Sequence, residues 1–485
     1  MGTFFFHGRI WRGNGVFASA MLVRDGRIAA LGTEEELREM AAGSDHIDCG
    51  GRVMIPGFQE ACLCLTAACS PVVPGECRDW ISIRRACLRW LEEHPKSAGR
   101  GLYACVHFGG AVPDRGALDA VLSGAPLVLE DIAAGAAAVN TCGLERMERR
   151  GIPAACAQWM SFDQAGRPTG LVRGPACRLA MDAAPHLSQR ELRPMLEQML
   201  RQAAAQGVTS LQSCDLGLTL PHSALPLLER IYEEDGGLPR MQCFRWPAGG
   251  DHLPPRSHLA ESGRQPTRGA LLAMQECDLL NFRLSRELLG RLIRAAGKKG
   301  MQLWIRAQGE KQMEEVLEQW EKLPFGQGNL QRAVILGAQN TSDALLKRLG
   351  QQKLGVAMLP ARLAEDLHRW GGRPGTHPCA VKTLLRLGAH VGFAGLDECR
   401  PFAGLQAAVS LPEPERLSRE EALEAYTSGS AWLQFKEDFL GRLAPGYAAD
   451  LQLLDRDYFT CSREEIGSIR PVLVMAAGKP LLREI

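Results

Sequence analysis

Two cysteines spaced two residues apart, Cys62 and Cys64, carry the most chemistry in this chain. In an extended strand, residues i and i+2 project to one face, so both thiols point the same way. As thiolates they could hold a zinc ion, or either one could act as a nucleophile once a neighbouring base took its proton. His107, in the strand-like run Tyr103-Ala104-Cys105-Val106-His107-Phe108, is the candidate base and a candidate substrate contact. The chain holds 16 cysteines in all, without a paired framework and without a Cys-x-x-Cys knuckle. The others therefore read as reduced, buried small residues rather than disulfides or structural zinc ligands.

The elements that must position these thiols follow from periodicity. Short strands with tight turns run through the first fifty residues: Thr3 to Ile10, Ala18 to Val23 and Ile28 to Leu31, then a helix capped by Thr33. The end of the chain has the same texture around Asp450 to Asp455 and Val472 to Lys479. Between them, apolar runs alternate with amphipathic helices, as in parallel βα units. Strands are expected at Leu127 to Leu129, Thr209 to Gln212, Ala270 to Met274, Gln302 to Ile305, Ala333 to Leu336, Gly355 to Met358 and His390 to Ala394. The fold class expected is α/β, a TIM-like (β/α)8 barrel over residues 56–439, with an insertion at about 66–180. Residues 1–55 and 440–485 would together build a small β-sandwich.

Composition narrows the partners. A length of 485 residues can bury a large core, and a net charge of +1 leaves no electrostatic footprint for nucleic acid or anionic membrane. The first residues contain only a three-residue apolar run, Phe4-Phe5-Phe6, which is too short for a signal peptide, and no stretch reads as a membrane span. A cytoplasmic protein is expected.

Several ordered segments resemble one family. Pro56-Gly57-Phe58-Gln59-Glu60-Ala61-Cys62-Leu63-Cys64 is similar to the Pro-Gly-Phe-x-Asp-x-His-x-His segment of the amidohydrolase superfamily, with both histidines replaced. Asp163 to Leu171 resembles the Asp-x-x-Gly-x-Pro-Thr-Gly turn of its amidohydrolase 3 branch, whose members resemble N-substituted formamide deformylase. Gly207-Val208-Thr209-Ser210 and the Gly441 to Asp450 segment are similar to further motifs of that branch. The resemblance implies a metal-dependent hydrolase of carbon-nitrogen bonds, in which a bound metal polarises a carbonyl and a carboxylate moves the proton.

Position by position, the chain departs from that pattern. Arg306 stands where a metal-binding histidine belongs in Arg306-Ala307-Gln308-Gly309-Glu310, and a guanidinium has no lone pair to donate. Gly337 replaces a second histidine, Gly135 a third, Leu272 a lysine and Gly174 a glutamate, while Glu276 stands for an aspartate and Asn140 matches. A long loop expected after Leu272 is nearly absent, because Ser285 already starts a helix. Among the positions that carry the chemistry, Asp397 is intact, matching the carboxylate that takes the proton from water.

Three readings follow. The first is a pseudoenzyme without a cofactor, in which Arg306 repels any metal by several kcal/mol, or by less where water enters, and binds an anionic or carbonyl-bearing small molecule or pairs internally with Asp397 or Glu310. In the second, Cys62, Cys64 and Asp397 hold a zinc with an open position for water. The third is thiol chemistry by Cys62 or Cys64 with His107. The resemblance also implies a possible homodimer, which no residue in the chain specifies.

Overall fold

The computed structural model describes the chain except residues 1, 66–78, 109–111, 132–134, 175, 185–186, 217–223, 246–268, 274–285, 300, 308, 323–331, 363–376 and 397–398. Eight parallel strands form one sheet in chain order. They are β1 (Phe58–Leu63), β2 (Val208–Leu216), β3 (Arg240–Arg245), β4 (Gly269–Ala273), β5 (Gln302–Ala307), β6 (Val334–Gly337), β7 (Gly355–Met358) and β8 (His390–Phe393). The sheet closes on itself where Leu63 bridges Leu396 just beyond β8. Leu396 donates its N–H to the Cys62 carbonyl at 2.9 Å, and Cys64 donates to the Leu396 carbonyl.

Alternation along the strands separates two apolar layers. On β5, Leu303 and Ile305 pack outward with the helices, whereas Trp304 joins Val334, Leu336 and Ala357 inside the barrel. The bottom is plugged by the short helix Ser430–Leu433. Leu433 fits there because Gly355 and Gly392 lack side chains: a Cβ on either would lie 2.6 Å from a Leu433 methyl. Gln302 ties the plug down by donating to the Leu433 carbonyl at 2.7 Å.

Both chain ends meet in a six-stranded sheet that includes Arg9–Gly13, Val53–Pro56, Leu451–Leu454 and Pro471–Ala476. A four-stranded sheet from the first 48 residues shares its core, through Phe5, Met21, Ile28, Met54, Leu451 and Leu473. Thr33 caps the helix Glu34–Leu37 in a reciprocal box with Glu36, as the sequence predicts. The run expected as one strand from Thr3 to Ile10 is two, broken at His7, whose φ of 51° ends the ladder.

Residues 102–173 supply a separate five-stranded sheet. This corrects one assignment: the strand around Leu127 to Leu129 exists as Leu127–Asp131 but pairs with Leu102–Cys105 and Ala136–Val139 rather than with the barrel. Its barrel place is taken by β3, whose Arg240, Gln242 and Arg245 hide an otherwise apolar run. Among the described residues, no helix is long and apolar enough to cross a membrane.

The Pro56-Gly57-Phe58 segment joins the terminal sheet to the barrel. Gly57 donates to the Asp450 carbonyl and Phe58 to the Gly207 carbonyl. A Cβ at Gly57 would sit 2.3 Å from Thr209 Cγ2, on a buried, β-branched side chain that cannot swing away. Gly57→Ala should therefore cost about 1–3 kcal/mol of stability in urea unfolding, the usual range for overpacking. An unchanged midpoint would contradict this close approach.

Candidate functional site

The inward faces of β1, β5 and β6 meet at the C-terminal mouth of the barrel, where catalytic groups sit in this architecture. On β1 a register shift places Ala61, Cys62 and Cys64 in the inner cluster, while Phe58 and Leu63 face the helices and Glu60 pairs in the ladder with the outward Leu211. Both cysteines are buried, in one apolar cluster with Trp304, Leu336, Leu359 and Leu396. The structure thus brings Cys62 and Cys64 to one face as the spacing predicts, but packs them as core side chains.

Arg306 lies one inward position beyond Trp304 on β5 and is only 7% exposed. Its neighbour in the β5–β6 ladder is Leu336, with Gly337 one residue further along. An acid that sequence reasoning did not name, Glu130 near the end of the strand Leu127–Asp131, lies within reach of the Arg306 charge. Burial pushes the Glu130 carboxyl up to about 7, while the Tyr103 hydroxyl and the Arg306 guanidinium pull it back down. Tyr103 donates to Glu130 Oε2 at 2.5 Å and lies 3.3 Å from Cys105 Sγ. Tyr103 and Cys105 pack against the mouth cluster, so the insertion sheet roofs the barrel. The available signal was Glu130-Asp131 closing an apolar run, two acids where a buried strand would otherwise continue.

His107 is buried in the insertion, with Nδ1 3.8 Å from Asp131 Oδ1. Asp131 also accepts from the Phe108 N–H at 3.0 Å. Asn140 is structural: its side chain accepts from Leu127 and Gly143 and donates to Leu122 and Ala125, capping the helix Thr141–Arg150. Gly174 faces the Trp159 ring and Gly135 sits in a turn with φ of 60°. Asp397, Glu276 and Ser285 lie outside the described residues, as does the side chain of Leu272.

Glu60 is the second residue whose role the sequence left unread. Its Oε1 accepts from the Gly395 N–H at 2.8 Å and from the Cys62 N–H at 3.3 Å, stapling β1 to the segment after β8. Its Oε2 and the Tyr426 hydroxyl have no hydrogen-bond partner and are fully buried. Burial pushes the Glu60 carboxyl up to about 8, against the smaller pull of those two N–H donors.

Among the described residues, the side chains at this mouth do not make a donor set for the metal implied by the family resemblance, and Asp397 lies outside them. Thiolates suit zinc in principle, but these two are packed among apolar side chains beside a buried guanidinium. Among the described residues, no group of three His, Cys, Asp or Glu side chains could hold a metal ion.

Residues 45–482 match the sequence model of the amidohydrolase family. The chain is 26% identical to YtcJ of Bacillus subtilis, over 93% of this chain and 94% of that protein. It is 24% identical to the N-substituted formamide deformylase of Arthrobacter pascens, over 95% and 94%. Among solved structures, an uncharacterized metal-dependent hydrolase from Pyrococcus furiosus superposes with a TM-score of 0.70 at 21% identity, covering 95% of this chain and all of that one.

The raised pKa of Glu60 gives a sign for stability. The native state keeps a proton that the unfolded chain releases near the ordinary 4.5, so stability falls as pH rises from about 4.5 to about 8 and levels off above. Glu130 acts in the same direction up to about 7. The unfolding free energy should drop by a few kcal/mol between pH 5 and 8, and Glu60→Gln should remove much of that slope. An unaltered slope in the variant would refute the assignment.

Proposed function

We propose that this chain, which belongs to the amidohydrolase family, is a non-catalytic member whose barrel mouth is closed by its own side chains. The observation that carries this reading is the buried Arg306 guanidinium at an inward position of the mouth, 7% exposed, with the buried Glu130 carboxyl within reach of its field. A guanidinium in low-dielectric surroundings opposes a metal cation and cannot ligate one. Its attraction to Glu130 instead supplies an internal anion, which supports a structural ion pair over capture of a small anionic or carbonyl-bearing molecule. Filling the ancestral cavity with Trp304, Leu336, Leu359 and two thiols supports the same reading, because it leaves the interior a packed core.

The reading that Cys62, Cys64 and Asp397 form a rebuilt zinc site is favoured only by the shared face of the two cysteines. Elemental analysis separates the two. Protein purified from zinc-supplemented cells should carry metal far below one equivalent per chain and should not hydrolyse N-formyl or N-acyl amines. Zinc near one equivalent, lost on Cys62→Ser, would overturn the proposal.

A further inference from the structure

Four cysteines, Cys62, Cys64, Cys105 and Cys214, share the mouth cluster, and all four carry thiols. Their spacing is unequal. The β1–β2 ladder pairs Leu63 with Ser213 in parallel register. Leu63 and Ser213 are the last pair of that ladder, just after a register shift, and the residues that follow on each chain, Cys64 and Cys214, both turn into the inner cluster. Neighbouring strands lie about 4.8 Å apart, inside the Cα separation of about 4.4–6.8 Å that a disulfide spans. Cys62 and Cys64, by contrast, are about 6.6 Å apart along one strand with parallel Cβ vectors, too far for a bond that needs Cβ atoms about 3.8 Å apart.

We propose that Cys64 and Cys214 are a redox-modifiable pair that forms a reversible disulfide between the first two barrel strands when a hydroperoxide reaches the mouth. The thiolate of Cys64 attacks the terminal peroxide oxygen and breaks the O–O bond, giving a sulfenic acid and one molecule of alcohol or water. The Cys214 sulfur then attacks the sulfenic sulfur and displaces hydroxide, which leaves as water with the remaining thiol proton. Two thiols lose two electrons and two protons, and the hydroperoxide is reduced. The product would pin β1 to β2 beside Cys62, as the Leu396 hydrogen bonds already pin β1 to β8. At 2% and 3% exposure, Cys64 and Cys214 react only when the mouth opens locally and only with an oxidant as small as hydrogen peroxide, so the reaction is slow.

The test uses the folded full-length chain and hydrogen peroxide as the probe, followed by acid quench, denaturation in an alkylating reagent and peptide mapping. The expected product is a cross-linked Cys64–Cys214 peptide pair that dithiothreitol dissolves. It should persist in Cys62→Ser and disappear in Cys214→Ser, where dimedone should instead label Cys64. Recovery of Cys64 and Cys214 as alkylated thiols after peroxide, or linkage of Cys64 to Cys62 or Cys105, would overturn the assignment. Should Cys214→Ser fail to fold, the wild-type and Cys62→Ser peptide maps decide the question alone.

Discussion

Two backbone hydrogen bonds between Leu396 and the Cys62–Cys64 segment close the barrel, and that closure commits every inward side chain to a space without bulk water. A polar group sealed in the barrel wall or its interior must find a partner, and a charged one must find an opposite charge or become neutral. Both solutions occur side by side. Glu60 takes two N–H donors and is held largely protonated at neutral pH by burial. Arg306 cannot lose its proton, and the buried Glu130 carboxyl of the neighbouring sheet lies within reach of its charge.

A metal centre would meet the same constraint differently, with imidazoles and carboxylates arranged around a cation. Here the cation is part of the protein. In the proposed reading Arg306 occupies the place of a metal, and Leu336 and Trp304 pack in the interior beside it. The insertion sheet gains a structural task in exchange, because Tyr103 both orients Glu130 and packs on the thiol cluster.

The parallel strands were legible in the sequence wherever they run apolar: Gly355 to Met358 matches to the residue, and β1 follows from Pro56-Gly57-Phe58. Alternation also foretold that Cys62 and Cys64 share a face. It failed at β3, where Arg240, paired with Asp450, and the buried Gln242 interrupt the apolar pattern. The acid within reach of Arg306 was not legible for another reason. Glu130 is 176 residues away in a separate sheet, and no local period links an insertion strand to the barrel it covers. Glu60, read only as a substituted aspartate, takes its meaning from Gly395, which is adjacent only once the barrel is closed.

The central claim is that a Glu130–Arg306 pair stands in for the metal, and a double-mutant cycle tests it most directly. Unfolding free energies of wild type, Glu130→Gln, Arg306→Gln and the double variant, measured near pH 8 where Glu130 is ionised, should give a coupling energy of at least about 1 kcal/mol. Additive losses, with no coupling between the two positions, would contradict the account.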